Sequence, residues 1–201
     1  MLIGITGKIG SGKSLFSSFF KKKGIPIYYS DKRGKILMNE IDYIKKNIIK
    51  YFGINSYKKG KINRNYLSKI VFNDSIALKL LCTIVHPWIS IDFKNWMFSM
   101  QKNALYVIKE SAILFESGNY KECDLIITIK STMEKILDRI KKRDNLNENQ
   151  IINRIKNQIS NKKREKKSNI IVNNCSSITF LLKKADIIHN KIIKIKYGKR
   201  R

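Results

Sequence analysis

The residues with the clearest chemistry lie near the start of the chain, where glycines, a lysine and a serine share one fixed spacing. Residues 7–14 read GKIGSGKS and fit G-x-x-x-x-G-K-[ST], a loop whose backbone amides wrap a polyphosphate. Lys13 would reach the terminal phosphates, and the Ser14 hydroxyl would hold Mg²⁺. We call residues 7–14 the phosphate loop. The residues expected to bind ATP here are Gly7, Gly10, Ser11, Gly12, Lys13, Ser14 and Leu15.

The sequence on both sides of the phosphate loop favours this interpretation. The apolar run 2–5 precedes it, and Phe16, Phe19 and Phe20 follow at helical spacing, so a strand, a loop and a helix are predicted in that order. The alternative is a tight glycine turn with a solvated lysine. At average residue usage the pattern arises by chance on the order of once per 100 chains of this length. A nucleotide site is therefore predicted.

Carboxylates end two further predicted strands. Asp31 follows the strand 25–29, and Glu110 ends the strand 104–110. In a parallel sheet such positions meet at the edge where ligands bind. Spacing alone favours Asp31 as an N-cap for a helix starting near Lys32. Glu110 would either orient the metal and its waters or pair with a lysine at the rim, and both interpretations stay open.

Two arginines lie one helical turn apart after the predicted strand 123–129. Arg139 and Arg143 share a face of a helix that a capping box at 131–134 would open. Paired guanidinium groups suit phosphate oxygens, which arginine contacts in bidentate geometry. The alternative is a solvated basic face, the default expectation for a chain this basic.

The remaining elements predict an α/β fold with a parallel sheet. Residues 32–100 show helical spacing with a break expected at His86-Pro87, and Trp88, Trp96 and Phe98 are expected in the core. The polar stretch 144–167 predicts a mobile excursion rather than core. A last strand is expected at 170–172, with a helix near 177–185 and a frayed basic tail at 194–201.

Composition limits the class of protein and its partners. The chain has 201 residues and a formal net charge of +27, which taken alone suggests nucleic acid. Abundant Lys, Asn, Ile, Tyr and Phe favour AT-rich coding as the source of the charge, and no nucleic-acid motif accompanies it. Cys82, Cys123 and Cys175 lack metal-site spacing, and no apolar run approaches the roughly eighteen residues of a membrane span. A cytoplasmic monomer without a specific nucleic-acid or membrane partner is expected.

Taken together, the order of these segments resembles the dephospho-CoA kinase family over nearly the whole chain. The matching segments are GITGKIGSGKS at 4–14, GKINRNYLSKIVF at 60–72, VHPWI at 85–89, ESAILFE at 110–116, RIKKRD at 139–144, residues 158–164, and Asn174. The chain departs from the family at several positions, with Tyr29 and Ser30 in the D-x-D motif, Lys35 for its arginine, Leu15 for threonine, Ala112 for proline, and Asn169 and Asn173 for aspartates.

The resemblance implies a P-loop NTPase fold of three αβα layers with a parallel sheet, a helical insertion and a lid. The implied parts are a nucleotide-binding core (1–31, 104–130 and 170–201), a helical coenzyme A-binding domain (32–103) and a lid (131–169). Members move the γ-phosphoryl of ATP to the ribose 3′-hydroxyl of dephospho-CoA, with Mg²⁺. Asp31, Lys13 and Arg139 would be catalytic, and Arg143 and Asn174 would bind ATP. Asp31, Arg64, His86 and Glu116 would bind the acceptor, and Ser14 and Glu110 the metal.

Three other functions are considered beside this one. The first is a nucleoside or nucleoside-monophosphate kinase of the same fold, which shares the phosphate-loop chemistry. The second is a nucleic-acid-binding P-loop ATPase, favoured by the positive charge. The third is an inactive descendant that only binds nucleotide. An acceptor panel assayed with ATP separates them.

Overall fold

A parallel five-stranded sheet organises the computed structural model, which describes residues 1–100, 104–144 and 146–198. The spatial order is β2-β5-β1-β6-β7, and every pairing is parallel. The strands are β1 (Leu2–Thr6), β2 (Ile27–Tyr29), β5 (Val107–Glu110), β6 (Leu125–Lys130) and β7 (Ile170–Asn173). All carboxyl ends therefore lie at one edge, which confirms the predicted fold class.

Helices cover both faces of the sheet because the strands are apolar on both sides. On one face, α1 (Lys13–Lys22) and α9 (Ile178–Gly198) form the main hydrophobic cluster with β1, β5 and β6. On the other, Phe93 packs against Leu2, Tyr28 and Val107. The predicted helix near 177–185 extends further, to Gly198, and residues 199–201 of the predicted tail lie outside the described residues.

The segment between β2 and β5 is largely helical, as predicted. It contains α2 (Ser30–Glu40), α3 (Asp42–Phe52), the short hairpin β3 (Tyr57–Lys58) and β4 (Lys61–Ile62), α4 (Arg64–Val71) and α5 (Ser75–Met100). These helices share their own hydrophobic cluster, which includes Leu37, Ile44, Ile48, Leu67, Ile84 and Val85. This separate core holds the segment together beside the sheet.

The predicted break at His86-Pro87 is wrong, because α5 continues through Pro87. A proline inside a helix removes one backbone hydrogen bond. Here Ile84 and Val85 on one side and Phe93 on the other are buried in two different clusters, so packing maintains the helix. Trp88 and Trp96 are half-buried, whereas Phe98 is 75% exposed and was wrongly expected in the core.

In the described part of the chain, α5 is also a helix long and apolar enough to cross a membrane by length and composition alone. Sequence analysis expected no such stretch. The helix carries Asp92, which accepts hydrogen bonds from the Tyr28 hydroxyl and the Arg33 guanidinium. It thus joins β2, α2 and the helical segment through one carboxylate.

The polar stretch 144–167 was predicted to be a mobile excursion rather than core, and the expected absence of core is wrong. It contains α7 (Glu148–Lys156) and α8 (Asn161–Lys166). Ile151 and Ile155 pack against Ile136 and Ile140 of α6 (Met133–Asp144), so a few apolar residues at helical spacing suffice for a small core. The helix α6 begins one residue later than the predicted capping box at 131–134 implies. At its start, Thr132 Oγ1 accepts from the Lys135 amide.

Candidate active site

The phosphate loop connects β1 to α1 at the carboxyl edge of the sheet. Gly12 is the N-cap of α1, with φ of 97°, in the left-handed region that favours glycine. A Cβ atom there would lie 2.1 Å from Asn174 Nδ2, so only glycine fits. The helix begins at Lys13, and its positive dipole end therefore faces the loop, as an anion site requires.

Asn174, predicted to bind ATP, and Arg139, predicted to be catalytic, both hold the outside of this loop. Asn174 Nδ2 donates to the Ser11 carbonyl at 2.8 Å. Arg139 Nη1 donates to the carbonyls of Gly10 and Ser11, each at 3.4 Å, and its Nη2 donates to the Asn174 carbonyl at 3.2 Å. Because these groups bind carbonyl oxygens, neither of them occupies an amide of the phosphate loop.

A lysine and a serine at the end of the phosphate loop lie close to a buried glutamate at the end of β5. Lys13 is buried and its Nζ donates to the Lys8 carbonyl at 3.3 Å. Burial lowers the pKa of Lys13, while the charges of Asp31 and Glu110 raise it. The Ser14 hydroxyl donates to Glu110 Oε1 at 3.3 Å. The register of β1 with β5 pairs Ile5 with Glu110, and this brings Glu110 close to Ser14.

Glu110 has the features of a carboxylate that could bind a cation. Its Oε2 atom is buried and has no hydrogen-bond partner in the structure. Burial raises the pKa of the Glu110 carboxyl, and the charge of Lys13 lowers it again. The described residues contain no group of three or more His, Cys, Asp or Glu arranged to hold a metal. Ser14 and Glu110 could therefore hold Mg²⁺ only together with phosphate oxygens and water.

Asp31 lies in the same cleft as Lys13, Ser14 and Glu110. It falls in the first turn of α2, which begins at Ser30, so the predicted capping role at Lys32 is wrong. The Asp31 charge acts on Lys13, Glu110 and Arg143, so all three lie within electrostatic range of its carboxylate. This carboxylate can approach an acceptor that enters the cleft.

The cleft is large, about 1550 Å³, and runs from the phosphate loop to the helical segment. Its wall is strongly basic, with Lys35, Arg64, Arg143 and Arg154 among the lining residues and Asp144 between them. Burial lowers the pKa of Lys35, and the neighbouring Arg64 lowers it further. A wall of this kind fits an acceptor that carries phosphate groups.

The other predicted acceptor residues are placed differently from one another. Arg64 and His86 line the cleft, and burial lowers the pKa of His86, which favours its neutral form. Glu116 also lines the cleft, but its Oε1 accepts from the Ile159 amide at 2.8 Å and from Arg164 Nη2 at 3.3 Å. Glu116 is therefore bonded to the segment that joins α7 to α8.

The two arginines of α6 do not act as a pair. Arg143 lines the cleft and forms two hydrogen bonds of 2.8 Å with Asp144, whereas Arg139 lies behind the phosphate loop. Sequence reasoning did not single out Arg154, Asp144 or Gln158, which line the cleft too. In a chain with 42 Lys and Arg residues, nothing local separates Arg154 from solvated charges. Gln158 was noticed only as the start of a matching segment.

The parallel sheet, the glycine loop at its carboxyl edge and the Lys13–Ser14–Glu110 group together define a P-loop kinase fold. A family model described as Dephospho-CoA kinase matches residues 1–179. The chain belongs to the dephospho-CoA kinase family.

Individual relatives agree with this assignment. The chain is 36% identical over 187 residues to dephospho-CoA kinase of Fusobacterium nucleatum, covering 92% of this chain and 95% of that one. It is 36% identical over 133 residues to the Bacteroides fragilis enzyme, and that match spans 66% of this chain and 64% of the relative's length. The solved dephospho-CoA kinase from Campylobacter jejuni superposes with a TM-score of 0.69 at 28% identity, covering 98% of each chain.

Proposed function

We propose that this protein transfers the γ-phosphoryl group of ATP to the ribose 3′-hydroxyl of dephospho-CoA, the final step of coenzyme A synthesis. The observation that carries the proposal is the meeting of Lys13, Ser14, Glu110 and Asp31 in one cleft that opens onto the basic helical segment. Family membership supplies the identity of the acceptor. Residues 32–103 would bind coenzyme A, 131–169 would form the lid, and the rest would bind nucleotide.

The chemistry asks the protein mainly to align reactants and stabilise charge. The phosphate-loop amides and Lys13 would hold the β- and γ-phosphates. Ser14 and Glu110 would hold Mg²⁺, which neutralises phosphate charge when it is bound. Asp31 would accept a hydrogen bond from the 3′-hydroxyl and orient it toward the γ-phosphorus. Asn174, which contacts the loop at the Ser11 carbonyl, would lie near the adenine, as the family resemblance implies.

The direct test is an ATP-dependent assay with dephospho-CoA as acceptor and the product identified by mass. Nucleosides and nucleoside monophosphates serve as competing acceptors, and RNA and DNA are added to parallel ATPase reactions. Coenzyme A as the main product supports the proposal. Preferred transfer to a nucleotide, ATP hydrolysis stimulated by nucleic acid, or binding without transfer would each contradict it and identify the corresponding alternative. A monomer located in the cytoplasm belongs to the same proposal.

Glu110 gives a prediction on stability. Because burial raises its pKa, the ionised carboxylate destabilises the fold above that pKa, and the cost disappears as pH falls through it. Glu110→Gln should raise the melting temperature of the protein without Mg²⁺ by about 2 °C at pH 7, and less at pH 4.5. The same variant should need about tenfold more Mg²⁺ for half-maximal activity.

The control for Glu110→Gln is Glu134→Gln, which changes an exposed glutamate in the first turn of α6. It should leave the Mg²⁺ dependence unchanged and should not raise the melting temperature, because the Glu134 charge favours the helix N-terminus. Differential scanning calorimetry at the two pH values measures the first effect, and Mg²⁺ titration of the kinase assay measures the second. Unchanged Mg²⁺ dependence in Glu110→Gln would remove Glu110 from the metal site.

The placement of the two arginines gives a second prediction. We infer that Arg143, which lines the cleft, acts on the transferring phosphoryl group, and that Arg139 supports ATP binding through the loop. Arg143→Ala should lower kcat by about 100-fold with little change in KM for ATP. Arg139→Ala should mainly raise KM for ATP, by about tenfold. Lys142→Ala, on the exposed face of α6, is the control. A larger kcat loss in Arg139→Ala than in Arg143→Ala would mean that Arg139, and not Arg143, acts on the transferring phosphoryl group.

A further inference from the structure

Gln158 connects the phosphate loop to the end of β5 with both ends of its side chain. Its Oε1 accepts from the Ile9 amide at 2.9 Å, and its Nε2 donates to the Ala112 carbonyl at 2.7 Å. Ile9 belongs to the phosphate loop, and Ala112 lies just after β5, two residues beyond Glu110. The side chain is half-buried and lines the cleft.

The position of Gln158 is itself fixed by its neighbours. The adjacent Ile159 amide donates to Glu116 Oε1 at 2.8 Å, and Arg164 Nη2 donates to the same oxygen at 3.3 Å. Arg164 is fully buried, and its Nε and Nη1 atoms have no hydrogen-bond partner in the structure. A buried cation depends on its ion pair, so Arg164 and Glu116 are firmly held together. The segment 158–164 is thereby anchored to the residues after β5.

The contact with Ile9 completes a clamp around the loop. Arg139 and Asn174 hold the carbonyls of Gly10 and Ser11, and Gln158 holds the preceding amide at Ile9. A loop fixed at three successive residues keeps its shape without a ligand. Less ordering is then needed when a phosphate binds, and affinity rises accordingly.

We propose that Gln158 is a positioning residue for ATP, which it supports through the backbone of the phosphate loop at Ile9. Glu116 and Arg164 hold Gln158 in place, so Glu116 serves this clamp as well as lining the cleft. The inference rests on the proposed function only in that the loop binds ATP. It does not depend on which acceptor receives the phosphoryl group.

The expected effect is a selective loss of ATP affinity. Removing both hydrogen bonds should weaken ATP binding by about tenfold, because each is worth a few-fold in an equilibrium constant. The loop shape matters equally before and during transfer, so KM for ATP should rise while kcat changes by less than about twofold. KM for dephospho-CoA should also change by less than about twofold.

Three variants of the full chain test this. Gln158→Ala removes the side chain, and Gln158→Met keeps nearly its volume without donor or acceptor atoms. Gln150→Ala is the matched control, because Gln150 is exposed on α7 and its Oε1 accepts from the Asn147 amide at 3.1 Å, away from the loop. Calorimetric titration with Mg²⁺-ATP gives affinity without an acceptor, thermal unfolding gives the folded fraction, and steady-state kinetics gives both KM values.

Tenfold weaker ATP binding in both Gln158 variants, with Gln150→Ala unchanged, supports the proposal. Wild-type affinity in Gln158→Met would show that volume alone matters and would overturn it. Equal losses in Gln158→Ala and Gln150→Ala, or a parallel rise in KM for dephospho-CoA, would also overturn it. If the wild type fails to phosphorylate dephospho-CoA but Gln158→Met still binds ATP tenfold more weakly than it does, the proposed function fails and this inference stands.

Discussion

Replacing Lys13 with alanine should abolish useful ATP binding and lower kcat/KM by about 10³-fold. Lys13 is only 6% exposed, so its ammonium group acts on a phosphate with little competition from water. Its loss also removes the charge that opposes the burial effect on Glu110, so the pKa of Glu110 should rise further. Both changes weaken the site for Mg²⁺-ATP.

Calorimetric titration with Mg²⁺-ATP and the kinase assay measure these losses for Lys13→Ala. Lys22→Ala is the control, since it removes an exposed lysine at the far end of the same helix. ATP affinity in Lys13→Ala within a factor of two of the wild type would mean that the loop does not bind the triphosphate as proposed.

The parts of the site that sequence could predict are those set by short-range pattern. The phosphate loop is continuous in sequence, and its glycines are required by local geometry, as the φ of 97° at Gly12 illustrates. Glu110 was predictable because a parallel sheet brings strand ends to one edge. The contact of Glu110 with Ser14, in contrast, is visible only in the structure.

The parts that sequence could not predict depend on contacts between distant segments. Ile9 and Gln158 are 149 residues apart, and no periodicity links them. Arg164 looks like one more basic residue in a charged stretch, although it is fully buried against Glu116. The continuation of α5 through Pro87 could not be predicted either, because the packing of Ile84 and Phe93 outweighs the local preference at proline. In each case tertiary packing decides what local propensity leaves open.

Asp31 should contribute to phosphoryl transfer without contributing to ATP binding. Asp31 lies in the first turn of α2 and lines the cleft. Its charge acts on Lys13 and Arg143, which line the same cleft. An aligned carboxylate that accepts the hydroxyl proton contributes about 10²- to 10⁴-fold to rate. Asp31→Asn keeps the shape of the side chain and removes its charge, so kcat should fall by about that factor.

The ATP affinity of Asp31→Asn, measured by calorimetric titration, should not fall and should stay within about twofold of the wild type, since the substitution removes a charge that repels phosphate. Asp42→Asn is the matched control, because Asp42 occupies the first turn of α3 and is exposed. Wild-type turnover in Asp31→Asn would exclude the carboxylate from the reaction. The basic cleft wall and Lys13 would then have to align the 3′-hydroxyl and stabilise the developing charge without a carboxylate beside it.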